Sequence, residues 1–238
     1  MNKISATYSE AMNFWNKAFT LSDEDKEKHN KNITADSDPA DLAISKSLAE
    51  FVRSALKGKN KVLDYGCGEG WAGMSIYKDG CRDVTCVDVA QGAVETVKYI
   101  ASLAQIGDGF CARSIDADWL ATVADNTYDG IVCTNVIDVV PGEISAYIAQ
   151  HLGRILSPGG TAVIGMNYYK DLSADPGANV EIRNGNEVYM DGILRMVSRT
   201  DDEWRSIFEK HFIVEQLEYY AWNSETVPKR RIFVLKKK

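Results

Sequence analysis

Residues 62–70, VLDYGCGEG, decide the fold. In this stretch an acid, Asp64, follows apolar residues, and glycines occupy positions 66, 68 and 70. Glycine adopts positive φ without strain, and it lets a ligand approach the backbone where a Cβ would collide. We therefore predict a strand that turns tightly, through a loop with few side chains, into a helix.

Downstream of this loop, short β-branched runs alternate with helical stretches. This alternation indicates an α/β fold, in which βαβ units build a parallel sheet covered by helices on both faces. The predicted strands are KVLDY, DVTCVDV, GFCARSI, DGIVCTNV and GTAVIGMNY. The predicted helices begin after Gly70 and span residues 91–106 and 141–156.

Residues 180–196 depart from this alternation. They contain two hairpin signals, an asparagine–glycine pair and an aspartate–glycine pair. A three-residue turn after Arg183 would pair that residue with Glu187, and Ile182 with Val188. We predict a small antiparallel meander at this position.

The chain closes with a helix and two strands. Thr200 and Glu203 form the signature of a capping box, which opens a helix. Two strand-like runs follow, FIVEQLEYYAW and RRIFVLKK, with no helix between them. Strands joined in this way are antiparallel neighbours.

Upstream of the loop, the first 20 residues place apolar side chains on roughly one face of a helix. The charged run that follows predicts a solvated linker over residues 22–38. Asp38 and Pro39 fit the N-cap and first position of a helix that Gly58 closes.

The composition narrows the class of protein. The 238 residues carry a formal charge of −7, and an acidic chain lacks the basic face that nucleic-acid binding needs. The N-terminus lacks a signal-peptide pattern, and no run of about 18 apolar residues predicts a membrane span. The five cysteines contain no CxxC pair, which suits a reducing compartment. We expect a cytoplasmic protein, monomeric or homodimeric, with no nucleic-acid or membrane partner.

Acids follow two further strands. Asp88 ends the second strand, where a carboxylate can accept hydrogen bonds from both ribose hydroxyls of a nucleoside. Asp116 follows the third strand within reach of an adenine amino group, and Asp118 is the alternative. Asp64 has an alternative role as a cap of the helix that follows it.

These residues resemble the motifs of the class I S-adenosylmethionine-dependent methyltransferases. VLDYGCGEG is similar to their glycine-rich motif, VTCVDVA to their ribose-binding strand end, and DADWL to their adenine-side acid motif. YDGIVCTNVIDVV and RILSPGGTAVIGMNYY are similar to the part that contains their fourth and fifth strands. The resemblance covers residues 61–169. It implies a Rossmann-like, mostly parallel sheet of seven strands in the order 3-2-1-4-5-7-6, with strand 7 antiparallel.

The resemblance also implies S-adenosylmethionine as cofactor and one methyltransferase domain over residues 1–238. We divide that domain into an N-terminal helical cap (1–58), a cofactor-binding core (59–169), an inserted meander or lid (170–199) and a closing helix with antiparallel strands (200–238). The predicted cofactor contacts are Asp64, Gly66, Cys67, Gly68, Gly70, Trp71, Asp88, Val89, Asp116, Ala117, Asn135, Tyr8 and Trp15. For the aromatic residues among them, ordinary core packing is the alternative.

A dinucleotide-binding domain is the competing interpretation, because Gly68, Gly70 and Gly73 also fit the GxGxxG pattern. In such a domain the carboxylate of Asp64 would repel the pyrophosphate. S-adenosylmethionine carries no phosphate and has a net positive charge, which acids at strand ends complement. We therefore favour a methyltransferase.

No motif defines the acceptor site. The candidates to line it are Asn167, Tyr168 and Tyr169 after the fifth strand and Asp138 after the fourth. These positions lie where open α/β sheets bind ligands. Arg183 and Arg195 of the meander would help to shape the site or its lid, and a solvent-facing hairpin is the alternative.

No residue is identified as a catalytic base. We expect structural roles for His151 and His211, while His29 in the charged run stays open. We predict no metal site, because His, Cys and Glu residues do not cluster at ligand spacing.

The sequence predicts methyl transfer to an oxygen or nitrogen nucleophile of a small molecule, by an in-line displacement that depends mainly on proximity and orientation. Two alternatives stay open. One is a methyltransferase acting on a protein or RNA, and the other is a member of the fold that binds the cofactor without catalysis.

Overall fold

Seven strands form the central sheet of the computed structural model, which describes residues 6–173 and 179–238. Their order is β3-β2-β1-β4-β5-β10-β9, and β10 runs antiparallel to both of its neighbours. The strands are β1 (Val62–Tyr65), β2 (Val84–Asp88), β3 (Phe110–Ser114), β4 (Tyr128–Thr134), β5 (Leu156–Met166), β9 (Phe212–Tyr220) and β10 (Arg230–Lys237). The predicted strand order and the antiparallel last strand are confirmed.

Helices cover both faces of this sheet. They are α1 (Ala6–Ala18), α2 (Asp23–Asn32), α3 (Lys46–Ala55), α4 (Trp71–Lys78), α5 (Gln91–Leu103), α6 (Trp119–Thr122), α7 (Gly142–Ile155) and α8 (Asp201–Phe208). Within the described ranges, none of them has the length and apolar character needed to cross a bilayer.

Two apolar clusters, one on each face, hold the helices against the sheet. Leu152 of α7 and Phe208 of α8 pack in one cluster with Phe233 of β10. Val52 of α3 and Val97 of α5 pack in the other. Since the central strands are buried on both sides, their sequences read as continuous apolar runs.

The predicted linker over residues 22–38 is wrong for its first part, which forms the helix α2. A capping box between Ser22 and Asp25 opens this helix, and Lys26 lies 3.5 Å from Asp23. Acidic residues occupy its first turn and His29 and Lys31 its last, which suits the helix dipole. No residue of α2 is buried, so apolar periodicity gave no signal for it.

The helix predicted from Asp38 to Gly58 is divided in two. Asp38 caps a short 3-10 turn, Pro39–Leu42, by accepting a hydrogen bond from the backbone N–H of Ala40. Ser45 then caps α3 as a separate helix. The extended backbone of Ala43 and Ser45 separates the two elements.

A second, three-stranded sheet is inserted after β5. Its strands are β6 (Val180–Arg183), β7 (Glu187–Met190) and β8 (Ile193–Val197), and we call it the meander. The predicted pairs Ile182–Val188 and Arg183–Glu187 are both confirmed. β8 lies against α1 and the 3-10 turn after β4, which places the meander at the edge of the main sheet where the parallel strands end.

Candidate active site

The glycine loop, residues 66–70, joins β1 to α4. Gly66, Gly68 and Gly70 all have positive φ, at 69°, 51° and 76°. The backbone N–H groups of Gly66 and Cys67 donate to the carbonyl of Val87, at 2.8 and 3.0 Å, which fastens the loop to the end of β2. A Cβ on Gly66 would lie 2.2 Å from Cγ2 of Val136. Glycine is therefore required at this position by both φ and space.

Asp88 lies beside this loop at the end of β2. Its two carboxylate oxygens accept hydrogen bonds from the backbone N–H groups of Gly68, at 3.1 Å, and Ala90, at 2.9 Å. Burial raises the pKa of this carboxyl, and the hydrogen bonds oppose that effect. The side chain still lines the cavity described next, so it is available to a ligand.

A cavity of about 750 Å³ lies between the glycine loop and a layer formed by α1 and the meander. Its volume is within the range of about 300–1,000 Å³ that is usual for small-molecule sites. The side nearest the loop is lined by Tyr65, Gly66, Cys67, Gly68, Glu69, Trp71, Asp88, Val89 and Ile115. The remaining lining residues are Tyr8, Met12, Trp15, Phe19, Leu42, Ile44, Thr134, Asn135, Val136, Val139, Val140, Ile148, Asn167, Met190, Arg195 and Trp222.

Ten of the residues singled out for the cofactor or the acceptor line this cavity. They are Tyr8, Trp15, Gly66, Cys67, Gly68, Trp71, Asp88, Val89, Asn135 and Asn167. Seven others of that set lie outside the lining: Asp64, Gly70, Asp116, Ala117, Asp138, Tyr168 and Tyr169. The cavity therefore brings together part of the predicted set, and the contacts of these residues with a ligand stay predictions.

Asp64 does not line the cavity. Its carboxylate is hydrogen-bonded within the protein. Its Oδ2 accepts a hydrogen bond from the backbone N–H of Gly73 at 2.9 Å, in the first turn of α4. The residue is only 2% exposed, and burial raises its pKa to about 7. Asp64 thus caps α4, the alternative role considered for it, because β1 ends one residue later and the carboxylate lies beneath the loop.

Gly70 and the acids after β3 also lie away from the cavity. A Cβ on Gly70 would lie 2.7 Å from Cγ2 of Val97, so this glycine allows the loop to pack against α5. Asp116 is exposed and Ala117 half-buried, while the preceding Ile115 lines the cavity. The contact of Asp116 with adenine stays a prediction.

The carboxyl ends of β4 and β5 bring two asparagines to the cavity. Asn167 donates from its side-chain amide to Oδ2 of Asp138 at 2.9 Å, and its own oxygen accepts a hydrogen bond from Arg230. Asp138 is completely buried behind it, and burial raises the pKa of this carboxyl. Asn135 adopts a φ of 57° and accepts from the hydroxyl of Tyr220. Both amides are held in place by groups outside the cavity.

Tyr168 and Tyr169 occupy a different position from the one expected for acceptor-site residues. β5 ends at Met166, so the chain has left the sheet edge by Tyr168. The two tyrosines line a separate surface pocket of about 340 Å³ together with Asp201, Tyr219, Pro228, Lys229 and Arg231. Nζ of Lys229 lies 4.3 Å from the ring centroid of Tyr168.

The two arginines of the meander are separated by the fold. Arg195 lines the cavity, and its guanidinium carbon lies 3.5 Å from the ring centroid of Phe14. Arg183 lies outside the lining and pairs with Glu181 at 2.7 Å. The two side chains therefore have different environments.

Several lining residues were not predicted as site residues. Phe19 packs over the glycine loop, with ring carbons 3.2 Å from an ideal Cβ on Gly68. Leu42, Ile44, Met190 and Trp222 come from segments distant in sequence. The apolar face of the first helix was a signal for some of these residues. It indicated that the helix packs on another part of the protein, but it did not identify that part.

The histidines lie outside this lining as well. His151 packs on the ring of Tyr147, and burial, together with Arg154, lowers its pKa. Burial also lowers the pKa of His211. In residues 6–173 and 179–238, no group of three His, Cys, Asp or Glu side chains is arranged to hold a metal ion.

The sheet order, the glycine loop and the neighbouring strand-end acid agree with the predicted class I S-adenosylmethionine-dependent methyltransferase. Residues 62–160, about two fifths of the chain, match the family described as methyltransferase domain.

Curated relatives agree with the class. The chain is 26% identical over 152 residues to a ubiquinone biosynthesis O-methyltransferase of Neisseria meningitidis serogroup C (strain 053442), with 63% of this chain and 58% of that protein aligned. It is 27% identical over 175 residues to the protein of the same name from Pseudomonas aeruginosa (strain UCBPP-PA14), with 73% and 66% aligned. The chain thus spans less than two thirds of the length of these relatives.

A solved structure shares the fold. The 1,6-didemethyltoxoflavin-N1-methyltransferase of Burkholderia thailandensis, solved with 1,6-didemethyltoxoflavin and S-adenosylhomocysteine bound, superposes with a TM-score of 0.69. The superposition covers 100% of this chain and 93% of that one at 15% identity. At this identity the likeness concerns the fold alone.

Proposed function

We propose that the chain transfers the methyl group of S-adenosylmethionine to an oxygen or nitrogen nucleophile of a small molecule, by in-line displacement. The observation that carries this proposal is one cavity that is lined by the glycine loop and Asp88, by Asn135 and Asn167, and by Met190 and Arg195 of the meander. One volume of about 750 Å³ has room for a nucleoside cofactor and a small acceptor together.

The residues at the loop side fit the cofactor. The Asp88 carboxylate at the cavity wall supplies acceptors for ribose hydroxyls, and the backbone of Gly66 and Gly68 is free of side chains that would fill the cradle.

The chain's own contribution to the reaction is orientation. Holding two reactants in near-attack geometry is worth about 7–11 kcal/mol, and the buried network behind Asn167 gives a rigid wall for it. Burial, with a smaller contribution from Asp88, raises the pKa of Tyr8 to about 12, so this cavity residue remains protonated at neutral pH. The proposal therefore assigns Tyr8 no role as a base, and the proton that the acceptor loses on methylation passes to solvent water.

The covering layer favours a small acceptor over a macromolecule. Tyr8, Met12, Trp15 and Phe19 close one side of the cavity, and the net charge of −7 opposes binding to RNA. In this proposal the cofactor is bound by residues of the range 59–169 together with Tyr8 and Trp15, and the acceptor is enclosed by Met190 and Arg195 of the meander and by Ile44. The names of the relatives include both an O-methyltransferase and an N-methyltransferase, so either nucleophile agrees with them.

Two measurements test the proposal. Calorimetry should detect binding of S-adenosylhomocysteine and no binding of NAD. Incubation with S-adenosylmethionine labelled in its methyl group and a fractionated cell extract should then label the low-molecular-weight fraction, and the Asp88→Ala variant should label it more slowly at a cofactor concentration that does not saturate the variant. Label confined to protein or RNA would contradict the small-molecule acceptor, and binding of NAD alone would contradict the cofactor.

A further inference from the structure

We propose that the acceptor is a small hydrophobic acid, whose carboxylate is bound by the guanidinium of Arg195. This inference rests on the proposed function and deepens it, because it assigns a chemical class to the molecule that receives the methyl group. Arg195 is then a specificity-determining residue of the acceptor site.

Arg195 is a charged side chain without an acidic partner. The residue is half-buried and lines the cavity. In residues 6–173 and 179–238 no acid forms an ion pair with it, and because its Nε is buried, a ligand would contact the terminal N–H groups of the guanidinium. Guanidinium groups removed from water normally gain a carboxylate or other acceptor in exchange. A ligand acid would provide that acceptor.

Six of the nine other arginines pair with an acid: Arg53 with Asp38 and Asp79, Arg154 with Asp125, Arg183 with Glu181, Arg205 with Glu209, Arg230 with Glu225 and Arg231 with Asp201. Arg199 resembles Arg195 in having a buried nitrogen without a partner in the described ranges, but it lies outside the cavity lining. Among the arginines in the described ranges, Arg195 is the one that lines the large cavity. Its unpartnered charge is therefore located at a place that a ligand can reach.

The geometry of the guanidinium suits a carboxylate. One face of the group lies on the ring of Phe14, with 3.5 Å from the guanidinium carbon to the ring centroid. Stacking of this kind occupies the face and leaves the edge, where the N–H donors lie, for a planar bidentate partner. The apolar residues Ile44, Met190 and Trp222 line the same cavity, so the body of the acid is hydrophobic.

The position of Arg195 assigns it to the acceptor. The acids of the lining, Glu69 and Asp88, lie at the glycine loop, on the side proposed for the cofactor. Arg195 lies on β8, outside the matched residues 62–160. The cation is thus carried by the inserted meander, whereas the cofactor wall belongs to the segment shared with the family.

Calorimetry with enzyme saturated by S-adenosylhomocysteine tests the inference. The probes are matched acids and amides: 3,4-dihydroxybenzoate and its amide, 4-hydroxyphenylacetate and its amide, and anthranilate and its amide. We expect at least one acid to bind about tenfold more tightly than its amide. Arg195→Gln should reduce that preference below about twofold, Arg195→Lys should retain part of it, and the matched control Arg183→Gln should leave it unchanged.

A second pair of probes separates the two sources of a carboxylate. S-adenosylhomocysteine carries the amino-acid carboxylate, whereas 5′-methylthioadenosine lacks it. We expect Arg195→Gln to bind both as the wild type does, which also shows that the variant is folded. Selective loss of S-adenosylhomocysteine affinity would assign the arginine to the cofactor and overturn the inference.

The remaining outcomes are equally decisive. Absence of any preference for the acids in the wild type, or an unchanged preference in Arg195→Gln, overturns the inference while leaving the proposed methyl transfer intact. Failure of the wild type to bind S-adenosylhomocysteine would instead refute the proposed function itself.

Discussion

The glycine loop and the meander face each other across one cavity, and they are specified in different ways. The loop is shaped by its backbone, through the positive φ of Gly66 and its close approach to Val136. The meander contributes through single side chains, such as that of Arg195 on β8. A backbone-built wall leaves a recognisable spacing in the sequence, whereas a wall built by side chains of a covering element leaves none.

Among the variants that test this contrast, Gly66→Ala is expected to have the largest effect on cofactor affinity. The new Cβ would lie 2.2 Å from Val136, and the residue would keep a φ that costs about 1–2 kcal/mol for a non-glycine residue. We expect the affinity for S-adenosylhomocysteine to fall by more than about 100-fold as the loop is displaced.

Gly58→Ala is the matched control for that variant. Gly58 has a similar φ of 76°, and its Cβ would meet nothing within 4 Å. This variant should lose about 1 kcal/mol of stability and keep its affinity, as measured by thermal melting and calorimetry. Equal binding by the two variants would show that the loop backbone does not form the cofactor wall.

A smaller effect is expected for Asp88→Ala. The substitution removes the carboxylate at the cavity wall, and hydrogen bonds to a charged group are worth about 1.5–3 kcal/mol, so affinity for S-adenosylhomocysteine should fall about 10- to 100-fold. Asp116→Ala tests the predicted adenine contact in the same assay. A loss of affinity as large as that of Asp88→Ala would support this contact, and a change of less than about threefold would contradict it.

The smallest effect on binding is expected for Asp64→Asn, because Asp64 lies behind the glycine loop and does not line the cavity. The asparagine oxygen can still accept from Gly73, so S-adenosylhomocysteine affinity should stay within about threefold. Its effect on stability should depend on pH. Burial raises the Asp64 pKa from 3.8 to about 7 in the folded protein, so the folded state holds this proton more tightly than the unfolded state.

The sign of that dependence follows from linkage. Asp64 favours the folded state below pH 3.8, and this contribution is lost as pH rises from there through about 7. Asp64→Asn cannot ionise, so its melting temperature should fall less between pH 5 and pH 8 than that of the wild type, by several degrees. Parallel melting curves of the two proteins against pH would contradict a buried, protonated Asp64.

The fold was predictable because its signals are local. The glycines of residues 62–70 and the acid at position 88 mark strand ends, and strand ends of a parallel sheet meet at one edge. The register of the meander followed from the turn after Arg183 in the same way. Each of these features depends on residues that are close in sequence.

The remaining features depend on contacts between distant segments. Trp222 reaches the cavity from the connection between β9 and β10, and Ile44 from the segment before α3, and neither has a local pattern that indicates this. Asp64 has a local pattern that fits two roles, and its hydrogen bond from the N–H of Gly73 shows the structural one. The helix α2 was missed because it has no buried face.

The packing of α1 against the N-terminus of α5 limits how freely this N-terminal segment could be exchanged between proteins. The N-terminus of α5 donates from Gly92 to the side chain of Asn16 at 3.0 Å, and a Cβ on Gly92 would lie 2.7 Å from Oγ1 of Thr20. Gly92, which lies outside the glycine loop, therefore leaves the space that the end of α1 and the residues after it occupy. Grafting the N-terminal segment onto another methyltransferase would require the matching glycine as well, so the helix and the core behave as co-adapted parts and not as interchangeable modules.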